Sequence, residues 1–300
     1  MKILLFGKSG QVGWELQRSL APLGELVALD ADSRDLCGDF TRPEDIAETV
    51  RAVVPDVVVN AAAHTAVDRA ESEAQRARLI NAQAPAALAR ACRRLDAWLI
   101  HYSTDYVFDG SGSAPWTEAD PTGPLNVYGA TKLEGEAAIL ASGCRHLIFR
   151  TSWVYAARGG NFARTMLRLA QARTDLSVVD DQVGAPTGAD LLADVTAHAI
   201  RRALYQRDVA GVYHLAAAGE TSWYGYAWFV LDRARQAGVA LKVAPEDIQP
   251  VPASAFPTPA ARPANSRLNT AKLRTAFGLH PPVWQTGVAR MLDEILGDRP

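Results

Sequence analysis

The residues best suited to chemistry lie in two stretches of the chain. Tyr102-Ser103-Thr104-Asp105-Tyr106 closes an apolar run, and Tyr128-Gly129-Ala130-Thr131-Lys132 opens a later segment of helical texture. Positions four apart share one face of a helix, which sets the phenol of Tyr128 and the ammonium of Lys132 about a turn apart. Reducing a carbonyl requires hydride at carbon and a proton at oxygen. An unperturbed phenol, with a pKa of about 10, exchanges that proton sluggishly near neutrality. A neighbouring cation would stabilise tyrosinate and lower the phenol pKa, and the same ammonium could hold the ribose of a nicotinamide cofactor. The hydroxyl of Thr104 would polarise the carbonyl. Thr104, Tyr128 and Lys132 are therefore the expected catalytic set, the adjacent Ser103 being the alternative hydroxyl.

A hydride donor needs a site, and the first residues offer one. Gly7, Gly10 and Gly13 in GKSGQVG follow an apolar run and open an amphipathic segment. In that placement Gly7 permits a tight turn, Gly10 a close backbone approach to a diphosphate, and Gly13 the packing of helix on strand. The spacing is GxxGxxG rather than the commoner GxGxxG. Asp30, closing the second apolar run, is placed to accept hydrogen bonds from a ribose. Its charge favours NADH, whereas Arg34 or Arg18 could reach the extra phosphate of NADPH. Asp39 and Phe40 could meet the adenine, and the small side chains of Asn60-Ala61-Ala62-Ala63 would let a cofactor lie against backbone.

These residues need a scaffold. Strands are expected at Lys2–Phe6, Glu25–Leu29, Asp56–Asn60, Trp98–Tyr102 and His146–Arg150. Helices are expected near Val12–Leu20, Pro43–Val53, Glu71–Leu95 and Tyr128–Ala141. Such alternation predicts an α/β fold, a Rossmann-like doubly wound parallel sheet, over residues 1–153. A smaller substrate domain is expected over 154–300, with the helix 189–205 returning to cover the sheet. Ser177–Val179 could add a strand. The proline-dense stretch from Pro245 to Pro263 excludes a regular helix and predicts a packed loop, because periodic sequence resumes at 270–277 and 283–296.

Composition narrows the partners. The 300 residues carry 31 basic and 33 acidic side chains, a formal net charge of −2, which offers no global reason for a nucleic-acid or membrane partner. Cys37, Cys92 and Cys144 are odd in number and widely spaced, which fits a reducing, cytoplasmic setting. The apolar run in MKILLFGKSG is too short for a secretion signal or a membrane span.

Several passages together resemble extended short-chain dehydrogenase/reductases and, within them, the dTDP-4-dehydrorhamnose reductase family, nearly end to end. They are GKSGQVG, GDFTRPE, PDVVVNAAAHTAVDRAE, HYSTDYVFDG, PLNVYGATKLEGE, RTSWVYAARGGNF, DDQVGAPTGADLLAD and RPANSRLNT. The resemblance implies NADPH- or NADH-dependent reduction of the C4 ketone of dTDP-4-dehydro-L-rhamnose, with Thr104, Tyr128 and Lys132 on the catalytic positions; it alone prefers Thr104 to the adjacent Ser103. It also implies that Gly7, Gln11, Val12, Asp30, Asp39, Phe40, Ala62, Ala63 and Thr65 touch cofactor. Thr65, Val67, Asp105, Tyr106 and Trp153 would line the sugar site. Asn161, Arg262, Asn265 and Arg267 could serve the diphosphate and thymine, since a doubly anionic diphosphate needs local donors. Glu15 and Asp190 fall where the family is associated with magnesium-dependent dimers, so Mg2+ and a homodimer are further expectations. A nucleotide-sugar epimerase would share the glycine turn and the Tyr–Lys pair but regenerate its cofactor, and a non-catalytic regulatory subunit would bind cofactor without turnover.

Overall fold

The structure is a computed structural model and describes residues 1–297. Its centre is a six-stranded sheet built from β1 (Lys2–Phe6), β2 (Glu25–Leu29), β3 (Val57–Asn60), β4 (Trp98–Thr104), β5 (Arg145–Thr151) and β6 (Gly211–His214). All neighbours are parallel, in the spatial order β6-β5-β4-β3-β1-β2. The strands are nearly continuous apolar runs because both faces are covered. On one face, α1 (Gln11–Leu20) and, far along the chain, α6 (Ala189–Tyr205) bury Leu16, Leu20, Leu192 and Ile200 against Ile3, Leu5 and Ile100. On the other, α2 (Pro43–Val53), α3 (Ala84–Leu95) and α4 (Val127–Ser142) bury Ile46, Val50, Leu88 and Ile139 against Leu4, Phe6, Val58 and Leu99.

Strand order reverses between β1 and β3. In an open parallel sheet the crevice beyond the carboxyl ends of the strands at such a point is where ligands bind. The turn after β1 and the Asn60–Ala63 segment after β3 flank it.

A third core lies beyond the sheet. There α5 (Phe162–Ala172), α7 (Trp223–Gln236) and α9 (Trp284–Leu296) pack around Tyr226, Val230, Trp284 and Val288. The short helix α8 (Ala271–Phe277) joins the sheet side through Leu273. Gln249–Val251, inside the proline-dense stretch, pairs in parallel with Ser177–Val179. Among the described residues, no helix is long and apolar enough to cross a membrane.

Two local expectations change. The helix expected over Glu71–Leu95 is broken into Val67–Ser72, Ala74–Arg78, a π turn at Leu79–Gln83 and then α3. The turn aims Asn81 inward, where its amide brackets the backbone of His64 by accepting from N at 2.8 Å and donating to O at 3.1 Å. Periodicity alone does not reveal such a bulge. The other change is β6, whose four residues are too few to show a pattern and whose place depends on pairing with β5.

Candidate active site

A cavity of about 670 Å³ opens at the reversal point, lined by Gly10, Gln11, Val12, Ala63, Thr65, Val67, Thr104, Asp105, Tyr106, Tyr128, Lys132 and Trp153, among others. The glycine turn forms one wall. Gly7 sits at φ +85°, and a Cβ on Gly13 would lie 1.9 Å from the Gly7 carbonyl, so the helix rests directly on the turn. A Cβ on Gly10 would meet only the Gly7 oxygen, at 3.4 Å; its bareness instead leaves the cavity side open. No side chain caps α1 at Gly10, so its first amide N–H groups are free to face an anion. These residues fit the diphosphate of a dinucleotide.

The opposite wall is set by α4. Asn126 caps it, accepting the Gly129 N–H at 2.8 Å. A Cβ on Gly129 would stand 2.2 Å from the Tyr106 carbonyl, so only glycine lets the helix press onto the turn after β4. That approach sets the Tyr128 and Tyr106 rings edge to face, 5.6 Å apart. The Thr104 hydroxyl, which shares this cavity wall with Tyr128, donates to Asp105 Oδ1 at 3.0 Å and accepts the Tyr106 N–H at 3.2 Å.

Burial pushes the Tyr128 phenol up to about 12; the neighbouring Thr104 hydroxyl opposes this and the nearby Asp105 charge adds to it. Lys132, 2% exposed, is lowered to about 8 by burial, with Glu136 acting against the shift. Its Nζ donates to the Tyr102 carbonyl at 2.5 Å and lies 3.3 Å from His101 Nε2. The expectation that the ammonium lowers the phenol pKa is thus corrected: the cation is turned to β4, and desolvation of the phenol dominates. A phenol held protonated is the form that can donate. Asp105, 2% exposed, is raised to about 6 by burial, while the Ser266 and Thr104 hydroxyls pull the other way.

Other expected residues fall elsewhere. Gln11 lines the cavity, but its amide donates to the carbonyls of Arg158 and Gly160 at 3.2 and 2.9 Å, which straps that loop across the turn. Asp30 accepts from the Asp32 N–H at 3.3 Å, and Asp39 accepts from both the N–H and hydroxyl of Thr41; both turns lie outside the cavity lining. Phe40 is a core residue, 4% exposed and edge-on to Phe6 at 5.4 Å, so its ring is not a free adenine platform. Ala62 also lies outside the lining, and its N–H is bonded to the Asn60 side chain.

Trp153 adopts φ +49°, and its ring stacks on Trp223 at 3.6 Å. One face of its indole is therefore already covered. Trp223, which the sequence reading overlooked, lines both this cavity and a groove of about 550 Å³ that includes Phe162, Phe256 and Arg262.

The remaining expected donors are engaged within the protein. Asn161 caps α5 through Arg164 N–H and donates to the Ala156 carbonyl. Arg262 is paired with Asp68 at 2.8 Å and Arg267 with Glu220 at 2.8 Å. Asn265 ties the carbonyls of Ser111 and Ala114. Arg262 reaches the wall of the second groove.

The expected metal pair does not form a metal site within one chain. Glu15 and Asp190 share a separate cleft, but Arg18 meets Glu15 at 3.3 Å and Arg290 meets Asp190 at 2.9 Å. No cluster of three or more metal-ligating side chains occurs among the described residues.

A doubly wound parallel sheet, an uncapped helix over a glycine turn, and a Tyr–Lys face beside a threonine hydroxyl define a dinucleotide-dependent oxidoreductase of the extended short-chain dehydrogenase/reductase class. The family model described as the RmlD substrate binding domain matches residues 1–296. A dTDP-4-dehydrorhamnose reductase of Escherichia coli K12 is 62% identical over 295 residues, 98% of each chain. Among solved structures, a dTDP-4-dehydrorhamnose reductase from Clostridium acetobutylicum superposes with a TM-score of 0.88 at 34% identity, covering 99% of this chain and 100% of that one. One from Bacillus anthracis, in complex with NADP, gives 0.86 at 32%, covering 98% and 99%. The chain belongs to the dTDP-4-dehydrorhamnose reductase family.

Proposed function

We propose that the protein reduces the C4 ketone of dTDP-4-dehydro-L-rhamnose to dTDP-L-rhamnose, using NADPH or NADH, with Tyr128 as the proton donor. The observation that carries this reading is the convergence of the α1 N-terminus, Thr104, Tyr128 and Lys132 on one cavity. When bound there, a reduced nicotinamide supplies the hydride that the ketone carbon requires. The amides of Gln11 and Val12 would bind the diphosphate, with Gly10 leaving room for it, and Lys132 would hold the ribose. Thr104, turning its hydroxyl from Asp105 Oδ1, would donate a hydrogen bond to the ketone oxygen, and the Tyr128 hydroxyl would deliver its proton to that oxygen as charge develops. Burial keeps the phenol protonated until that moment.

Thr65, Val67, Asp105, Tyr106 and Trp153 shape the sugar end of the cavity. The nucleotide end extends into the groove beside Trp223, where Arg262 exchanges its contact with Asp68 for a diphosphate oxygen. A cytoplasmic setting is supported by the free thiols of Cys37, Cys92 and Cys144.

The test is a reduction assay on the purified protein with the ketosugar and each cofactor, run with and without chelator. Stoichiometric loss of NAD(P)H absorbance, insensitive to chelation, is the expected result. Interconversion of sugars without net cofactor oxidation would replace this reading with an epimerase. Cofactor binding without turnover would replace it with a regulatory subunit.

A further inference from the structure

Two buried side chains stand behind Lys132. Asn60 at the end of β3 and His101 in β4 face each other in register, each 1% exposed. Asn60 Oδ1 accepts the backbone N–H of Ala62 at 3.0 Å. The other end of that amide, Nδ2, lies 3.0 Å from His101 Nδ1. An amide nitrogen only donates, so Nδ1 must accept, and a neutral imidazole then carries its proton on Nε2. Burial, with the Lys132 charge beside it, keeps this ring neutral by holding its pKa well below the usual range.

Nε2 points at Lys132 Nζ, 3.3 Å away. An ammonium has no lone pair to receive an N–H, whereas an uncharged amine has one. The amide of Ala62, acting through Asn60 and His101, thus presents Lys132 with a donor that suits the amine and opposes the ammonium. Reversing the Asn60 amide would relieve that opposition only by turning its NH2 group onto the Ala62 N–H.

We propose that His101, oriented by Asn60, is a positioning residue for Lys132, fixing where Nζ sits and making its proton easier to lose. This rests on Lys132 serving the cavity as described above. The other ionisable groups around Lys132 are Tyr128 and Glu136, one turn before and after it on α4, and Asp105, which adjoins Tyr128. Glu136 favours the ammonium, but its carboxylate is bonded to Arg150 of β5. No carboxylate is salt-bridged to Lys132 among the described residues.

The test reads protonation directly, in the intact cofactor-free protein. Long-range nitrogen–proton NMR of histidine-labelled protein is expected to show His101 protonated on Nε2 and bare on Nδ1. Lysine carbon NMR then follows the titration of Lys132. In Asn60→Asp one carboxylate oxygen keeps the Ala62 N–H while the other takes an Nδ1–H. Nε2 thereby becomes an acceptor, and the Lys132 midpoint should rise by at least about one pH unit, about tenfold in proton affinity. His101→Leu, which removes the opposing donor, should shift it the same way by less. A wild-type ring protonated on Nδ1, or a Lys132 midpoint unmoved in folded Asn60→Asp, would overturn the proposal. The tautomer measurement decides even if the variants fail to fold. Neither readout needs turnover, so failure of the reductase reading would show separately, in the ketosugar assay.

Discussion

Helix α4 carries three ionisable side chains one turn apart, Tyr128, Lys132 and Glu136, and treats its two ends oppositely. Glu136 receives three N–H···O contacts from Arg150, at 3.0, 3.2 and 2.7 Å, with both side chains almost wholly buried. The guanidinium also lies over the Phe108 ring at 5.1 Å. One turn earlier, Lys132 is equally buried but has only a carbonyl and an imidazole beside it. A buried charge without a counter-ion is costly, so folds ordinarily pair or neutralise it. The closed pair ties α4 to β5. The open end faces the cavity, where perturbed groups are useful.

If that contrast holds, substitutions at the two ends should separate activity from stability. Tyr128→Phe should lower kcat by roughly 10²–10⁴-fold while leaving NADPH affinity and the unfolding midpoint close to wild type. Turnover within a few-fold of wild type would remove Tyr128 from the proton-transfer role. Glu136→Ala should do the reverse. Leaving Arg150 buried and unpaired is expected to cost about 3–5 kcal/mol in urea unfolding, and a loss under about 1 kcal/mol would mean that water reaches the pair.

Lys132→Met tests the open end from the stability side. The ammonium pKa is lowered from its usual 10.5 to about 8, so between those values the folded chain binds fewer protons than the unfolded one and stability rises with pH. At pH 7 the fold bears a buried cation, and methionine should relieve a penalty of up to about 3 kcal/mol, less the bond to Tyr102. The variant is therefore expected to melt no lower than wild type at pH 7 while losing cofactor affinity in a titration. A melting point well below wild type would place Lys132 with Glu136 as a structural charge.

Local signals made much of this legible. Gly7, Gly10 and Gly13 are bound to one turn, and Tyr128 and Lys132 to one helix face, because their geometry depends on residues only a few positions apart. The five strands at the start of the sheet were readable for the same reason. What the sequence could not display was which distant group occupies a side chain. Arg262, Arg267 and Asn161 carry the right donors for a diphosphate, but Asp68, Glu220 and a helix cap hold them. Trp223 stacks on Trp153 from far along the chain, and Asn60 and His101 meet Lys132 only because β3, β4 and α4 are adjacent. Phe40 looked available for a ligand because nothing in its neighbourhood announces the contact with Phe6.

The smallest effect lies at Asp105, where the same contrast can be read as a pH dependence. Its carboxyl is raised from the usual 3.8 to about 6 by burial. Below about pH 4 the group is protonated whether the chain is folded or not, and it costs nothing. As pH rises through that interval the unfolded chain ionises first, so stability falls until the folded carboxyl also gives up its proton near 6. Asparagine cannot ionise and keeps an oxygen to accept from the Thr104 hydroxyl, which bonds Asp105 at 3.0 Å. At pH 8, Asp105→Asn should accordingly be more stable by about 1–3 kcal/mol, a rise of several degrees in Tm, with the gain fading toward pH 4. A gain that persists at pH 4 would come from repacking rather than charge. No gain at pH 8 would mean that the hydroxyls of Thr104 and Ser266 already offset the burial, leaving Asp105 as well satisfied as Glu136.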